Sequence, residues 1–113
     1  MDKQLELIAK RLAELGHPTR LGIFRLLVQS GPAGLPVGDI QQQLAIPGST
    51  LSHHLARLMQ ADLVTQERDK NSLYCKPQFN AVQETLEFLL KECCQGSCSL
   101  ADAVSGNETA CCN

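Results

Sequence analysis

Between Val37 and Asp62 the apolar residues fall into two helical stripes of unequal length, separated by the tight turn Ile46-Pro47-Gly48. Val37, Ile40 and Leu44 share one side of the shorter segment; Leu51, Leu55 and Leu58 share one side of the longer one, residues 49–62. A short helix, a turn of about four residues and a longer helix form the pattern of a helix-turn-helix. Ser49 or its neighbour is expected to cap the second helix.

The flanking segments extend this pattern in both directions. Leu5, Ile8, Leu12 and Leu15 recur at helical spacing over residues 3–15, and Gly16-His17-Pro18 breaks that helix. Pro18 suits the first turn of a new helix, which carries Leu21, Phe24, Leu27 and Val28 on one side and ends near Ser30-Gly31. Residues 31–38, rich in Gly and Pro, read as a loop. Downstream, Leu63–Glu67 and Ser72–Lys76 are β-rich runs around the polar turn Arg68–Asn71, a β-hairpin placed where a winged helix has its wing. A last helix is expected over 80–94, with Val82, Leu86, Leu89, Leu90 and Cys93 on one face and Gly96 able to end it. The expectation is a mainly α chain with a small β-hairpin (α+β): a winged helix-turn-helix of about five helices. Residues 1–95 form its folded domain, and 96–113 a flexible, cysteine-containing tail.

A chain of 113 residues supports one compact domain with one modest core. Its only aromatic side chains are Phe24, Phe79, Phe88 and Tyr74, so that core rests on Leu, Ile and Val. No apolar run reaches the length of a membrane span, and the N-terminal stretch is amphipathic and charged rather than a secretory signal. A cytoplasmic protein with no membrane partner is expected. The net charge of −2 is unevenly spread. Residues 1–48 carry five basic and four acidic side chains, residues 49–76 four and three, and residues 77–113 one and five. A nucleic-acid surface must therefore be local and lie before residue 77.

The longer helix supplies a candidate for that surface. Its apolar stripe leaves Ser49, Thr50, Ser52, His53, His54 and Arg57 on or near the opposite side, groups able to reach base edges and phosphates in a major groove. Arg68, Lys70 and Asn71 at the hairpin tip can touch backbone or minor groove, with salt-dependent affinity. The plain alternative for any one of these residues is a solvated helix face. His53 and His54 are poorly placed as joint metal ligands, because neighbours on a helix diverge by about 100°. An enzyme is not expected: no phosphate loop, nucleophile–base motif or cleft-forming α/β pattern occurs.

The segments HPTRLGIFRLL (17–27) and VGDIQQQLAIPGSTLSHHLARLMQADLV (37–64), with the hairpin after them, resemble the ArsR/SmtB family of bacterial metal-responsive repressors. The resemblance covers about residues 5–95 and is most specific in STLSHHLARL followed by ADLV. It implies a homodimer held by its first and last helices, bound to double-stranded operator DNA when metal-free and weakened by metal. The family's sensing sites differ in place. One arsenic-sensing type has two cysteines beside the first helix of the helix-turn-helix, where Gly34–Asp39 has none. The zinc-sensing type uses His and carboxylates on the last helix, where Asn80–Glu92 has no His. Cys93-Cys94 with Cys98 is similar to a third branch, which carries a vicinal cysteine pair at the end of the last helix. In that branch the third cysteine comes a little later than Cys98 does here.

Five of the six cysteines lie in the last 21 residues, which does not suit a disulfide framework for the whole domain. Thiolates favour soft ions, and trivalent arsenic or antimony takes three sulfurs in a pyramid. Cys93, Cys94 and Cys98 are the expected set, with Gly96 allowing the chain to turn back. Zinc would want a fourth ligand, which Cys111 or Cys112 can supply, so zinc, cadmium and lead stay open. Sets that include Cys75 stay open as well, methylarsenite needing only two thiolates; a lone strand cysteine is also often a small buried residue. Cys111-Cys112 is otherwise a scavenging tail or has no role. The rival classes are a repressor that senses redox state through a disulfide of these thiols and a metal-buffering protein.

Overall fold

The structure, a computed structural model, describes residues 2–91. Five helices and three short strands follow one another: α1 (Lys3–Leu15), α2 (Pro18–Ser30), β1 (Leu35–Pro36), α3 (Val37–Leu44), α4 (Gly48–Gln60), β2 (Val64–Asp69), β3 (Ser72–Pro77) and α5 (Phe79–Leu90). The contacts divide the chain after Val82, so the part of α5 beyond that residue is described by itself. The helical and hairpin assignments made from periodicity hold to within a residue or two, except for the last helix, which was expected to reach residue 94 and stops at Leu90, with Lys91 in a turn. The expected end of the last helix, including Cys93, Cys94 and Gly96, lies outside the described residues.

Helix starts follow local chemistry. The Asp2 carboxylate accepts from the Gln4 amide at 3.0 Å and caps α1. His17 caps α2, its Nδ1 accepting from the Thr19 amide at 3.2 Å, and Pro18 occupies the first turn. The expected cap at Ser49 is not made. Helix α4 begins one residue earlier, after Pro47, and neither α3 nor α4 has a side-chain cap. Extended prolines, Pro36 and Pro47, precede both helices, and their fixed φ sets the entry in place of a capping hydroxyl.

One strand was not visible to periodicity. Leu35 and Pro36 pair antiparallel with Cys75 and Tyr74, so the sheet is three-stranded in the order β1-β3-β2. Two residues are too few to show alternation. The hairpin itself closes tightly: Asp69 pairs with Ser72, leaving Lys70 and Asn71 as the turn, with Lys70 at φ 57°.

The core is aliphatic as composition requires. Ile23, Phe24 and Leu27 of α2, Ile40 of α3, and Leu51, Leu55 and Leu58 of α4 close over Leu63, Val64 and Cys75 of the sheet region. Two stripes differ from expectation. In α2, Ile23 is enclosed while Leu21 and Val28 are exposed. In α1, only Ile8 of the apolar set is enclosed. Leu5 and Leu12 stand out at 42% and 43% exposure, while the charged Arg11 and Glu14 are buried. The reason is polar. Arg11 donates through Nε to the Ala61 carbonyl (3.2 Å) and through a terminal nitrogen to the Ala81 carbonyl (3.3 Å). Glu14 accepts from Arg20 of α2 and, at 3.1 Å, from Nε of Arg57 of α4. Buried charges are tolerated when paired in this way. On α5, Leu86, Leu89 and Leu90 are exposed.

Candidate nucleic-acid interface

Helix α4 buries one side and presents the other. Leu51, Leu55 and Leu58 are at most 1% exposed, while Ser49, Ser52, His53 and Arg57 face outward and Thr50 is half-buried. The outward set holds two hydroxyls, an imidazole and a guanidinium within nine residues of one helix. These are donors that pair with phosphate oxygens and with purine N7 and O6 atoms. Arg57 is anchored as well as exposed: its Nε is held by Glu14, and its side chain keeps 47% exposure.

His54 does not belong to this face. It is 7% exposed and packs against His17, with ring centroids 4.8 Å apart, whereas His53 beside it is exposed. Adjacent residues diverge by about 100° around a helix, so only one of the two rings can share the outer side. Burial, and next the neighbouring His17, Arg20 and His53, hold the His54 imidazole below the ordinary histidine range.

At the hairpin tip Arg68, Lys70 and Asn71 are exposed. Strand alternation puts Arg68, opposite Leu73, on one face of the hairpin and Glu67, Asp69 and Lys76 on the other. Glu67 is further neutralised by an ion pair with Lys76 on the adjacent strand, whose hydrogen bond and charge hold its carboxyl below the usual range.

Cys75 is fully enclosed on β3, and the Gln66 amide nitrogen lies 3.5 Å from its sulfur. Burial pushes the thiol upward, against the smaller pull of that hydrogen bond. An enclosed thiol that resists ionisation is a poor ligand and a poor nucleophile. Cys75 is thus a core residue. Cys93, Cys94, Cys98, Cys111 and Cys112 lie outside the described residues. Among the described residues, no group of three or more His, Cys, Asp or Glu side chains is arranged to hold a metal ion. None of the described helices is long and apolar enough to cross a membrane.

Four polar residues that shape the site were missed by sequence reasoning: Arg11, Glu14, His17 and Arg20. The one available signal was His17 directly before a helix-opening proline, a capping position that usually holds Ser, Thr, Asp or Asn. The charged residues of α1 gave none, because Arg and Glu on an amphipathic helix read as outward.

A helix-turn-helix domain family model matches residues 15–67. Nodulation protein NolR of Rhizobium meliloti is 32% identical over 81 residues, 72% of this chain and 64% of that protein. The chain thus spans just under two thirds of that curated relative. Among solved structures, the transcriptional repressor PagR of Bacillus anthracis is 31% identical, with a TM-score of 0.62 over 77% of this chain and 95% of that one. An ArsR-like transcriptional regulator from Rhodococcus sp. RHA1 superposes with a TM-score of 0.69 at 18% identity, over 94% of this chain and 89% of that one, a likeness of fold.

Proposed function

The chain belongs to the helix-turn-helix transcriptional regulators with the ArsR-type winged fold, and from that premise we propose that it is a repressor that grips operator DNA as a homodimer and releases it on capturing trivalent arsenic. The observation that carries the DNA reading is the two-sided α4. Its leucines are sealed inside, and Ser49, Ser52, His53 and Arg57 are set outward, with Thr50 beside them and Arg68 and Lys70 at the wing tip. In the proposed complex α4 lies in the major groove and the wing tip touches the phosphates alongside.

The dimer rests on apolar exposure. Leu5 and Leu12 on α1, and Leu86 and Leu89 on α5, are each more than 40% exposed. Large exposed apolar side chains mark an interaction surface on each of these helices, and a second copy of the chain covers both in this reading. Two reading helices then address half-sites about 34–36 Å apart.

The sensing part rests on the thiols. Cys93, Cys94 and Cys98 hold the metalloid. Three thiolates satisfy its pyramidal preference and cancel its charge. Capture of the metalloid just beyond α5 biases the packing of the two last helices and so the spacing of the two reading helices. A coupling of about 1–3 kcal/mol lowers operator affinity by roughly 5- to 150-fold. Cys75 takes no part, and Cys111 and Cys112 are dispensable for arsenite or antimonite and become relevant for ions that want a fourth sulfur.

The test uses the full reduced chain. Duplexes are selected from a random pool for binding, and the bound fraction is followed as arsenite is added. Release from the natural chain, with retention by the Cys93→Ser, Cys94→Ser double variant, supports the reading. Release of the double variant by arsenite places the sensor elsewhere, and failure to select any duplex removes the repressor function altogether.

A further inference from the structure

The buried histidine of α4 has a setting that DNA contact does not explain. His54 is 93% enclosed, and its Nδ1 is shut away from solvent with no hydrogen-bond partner. The ring lies 4.8 Å from His17, at an interplanar angle of 48°, and 5.6 Å from His53. His17 is itself committed. Its Nδ1 accepts from the Thr19 amide, so the neutral ring carries its proton on Nε2 and is fixed to the start of α2.

The charges facing this ring come from three helices. Arg20 on α2 stands beside it, and His53 and Arg57 share its own helix. Glu14 on α1 is the carboxylate of the cluster, and it already accepts from both Arg20 and Arg57. A proton added to His54 would therefore stand among cationic and imidazole groups. It would put a charged N–H where no acceptor is present.

We propose that the His17–His54 contact is an acid-operated latch between the start of α2 and the reading helix α4, closed while both rings are uncharged and opened by one proton. The inference goes beyond the DNA reading and stands without it, since it concerns how α4 is seated. The direction in pH follows from the depressed proton affinity of the folded ring. Below the unfolded-state value, near 6.5, the unfolded chain takes up a proton that the folded chain refuses. Stability is then complete above that pH and is lost as pH falls from 6.5 through the folded value. The folded-to-unfolded ratio drops by up to about tenfold per pH unit across that window.

The experiment uses the full reduced chain and no DNA. Imidazole carbon–proton spectra are recorded from pH 8 to 5. The expected result is that His54 titrates below pH 6.5, and that His17 and the amides of residues 51–58 shift or broaden with it. Titration of His54 at or above 6.5, or titration that leaves His17 and those amides unmoved, overturns the proposal. Thermal unfolding over the same range adds variants. His54→Gln should flatten the midpoint profile between pH 5 and 6.5, and His17→Asn, which keeps a capping acceptor, should move the His54 titration upward. A His54→Gln profile as steep as the natural one also overturns it. The spectra of the natural chain decide the matter if a variant does not fold.

Discussion

Replacing Gly34 by alanine should cost far more than the same change at Gly31, and the difference measures how firmly β1 is bound to the wing. Both residues have positive φ, +77° at Gly34 and +91° at Gly31, so a side chain at either forces a backbone conformation that costs about 1–3 kcal/mol. Only Gly34 is crowded. A Cβ there falls 2.1 Å from the Cys75 carbonyl oxygen and 2.9 Å from its carbon, whereas at Gly31 nothing lies within 4 Å. The opposing atoms are backbone, in the middle of β3, and cannot swing aside. Relief requires the two-residue strand to move off by more than an ångström, which breaks its pairing with Cys75 and Tyr74. Lost hydrogen bonds at about 0.5–1.5 kcal/mol each, with loosened packing at Leu35, add about 2 kcal/mol or more. Gly34→Ala should therefore fall about 3–5 kcal/mol below the natural chain, and Gly31→Ala about 1–3. Urea unfolding at fixed pH, with a slope of about 1–3 kcal/mol per molar, would separate the two midpoints by about 1 M. Coincident midpoints would refute the assignment of Gly34 as a close-approach position.

Other substitutions test other parts. Arg11→Met removes the buried hydrogen bonds to the Ala61 and Ala81 carbonyls and should cost about 2–4 kcal/mol in denaturant unfolding; Arg11→Lys should recover little, since one ammonium cannot match a guanidinium fork. Cys75→Ala should lower stability by about 1–2 kcal/mol and leave the arsenic–sulfur coordination number seen by X-ray absorption unchanged; a lost sulfur neighbour would restore Cys75 to the site. Leu12→Glu or Leu89→Glu should weaken self-association by at least tenfold in sedimentation, each change being present twice in a symmetric pair. Lys70→Ala should weaken binding to selected DNA evenly across sequences and reduce the salt slope by about 1 per subunit, whereas Arg57→Ala should also relax sequence preference.

Much of this fold is written in period alone. The stripe Leu51, Leu55, Leu58, the punctuation at Pro18 and Pro47, and the β-rich runs around Lys70-Asn71 place α2, α4 and the wing before any coordinates. What periodicity could not supply was the identity of polar residues that tertiary structure pulls inward. Arg11 and Glu14 lie on α1 at positions any amphipathic reading turns outward, and they are buried because carbonyls and guanidinium groups from elsewhere in the chain meet them there. His54 was assigned to the DNA face with His53, although a helix separates neighbours by about 100° and only one could stay there. Leu5 and Leu12 show the converse: apolar at the right spacing, yet not covered by the described residues. The cysteine cluster was legible as chemistry only, because spacing and ligand softness speak to what it binds and not to how it is held.

The two-residue strand β1 has a mechanical meaning. Its second residue, Pro36, is paired to Tyr74 in the wing and is also the residue from which α3 starts. Any displacement of the wing is thereby handed directly to the first helix of the reading motif, with no slack segment between them to absorb it. The tip of the wing and the platform beneath α4 share a single splint. Under the proposed function, an inducer acting on a dimer would have no need to disarm them one at a time.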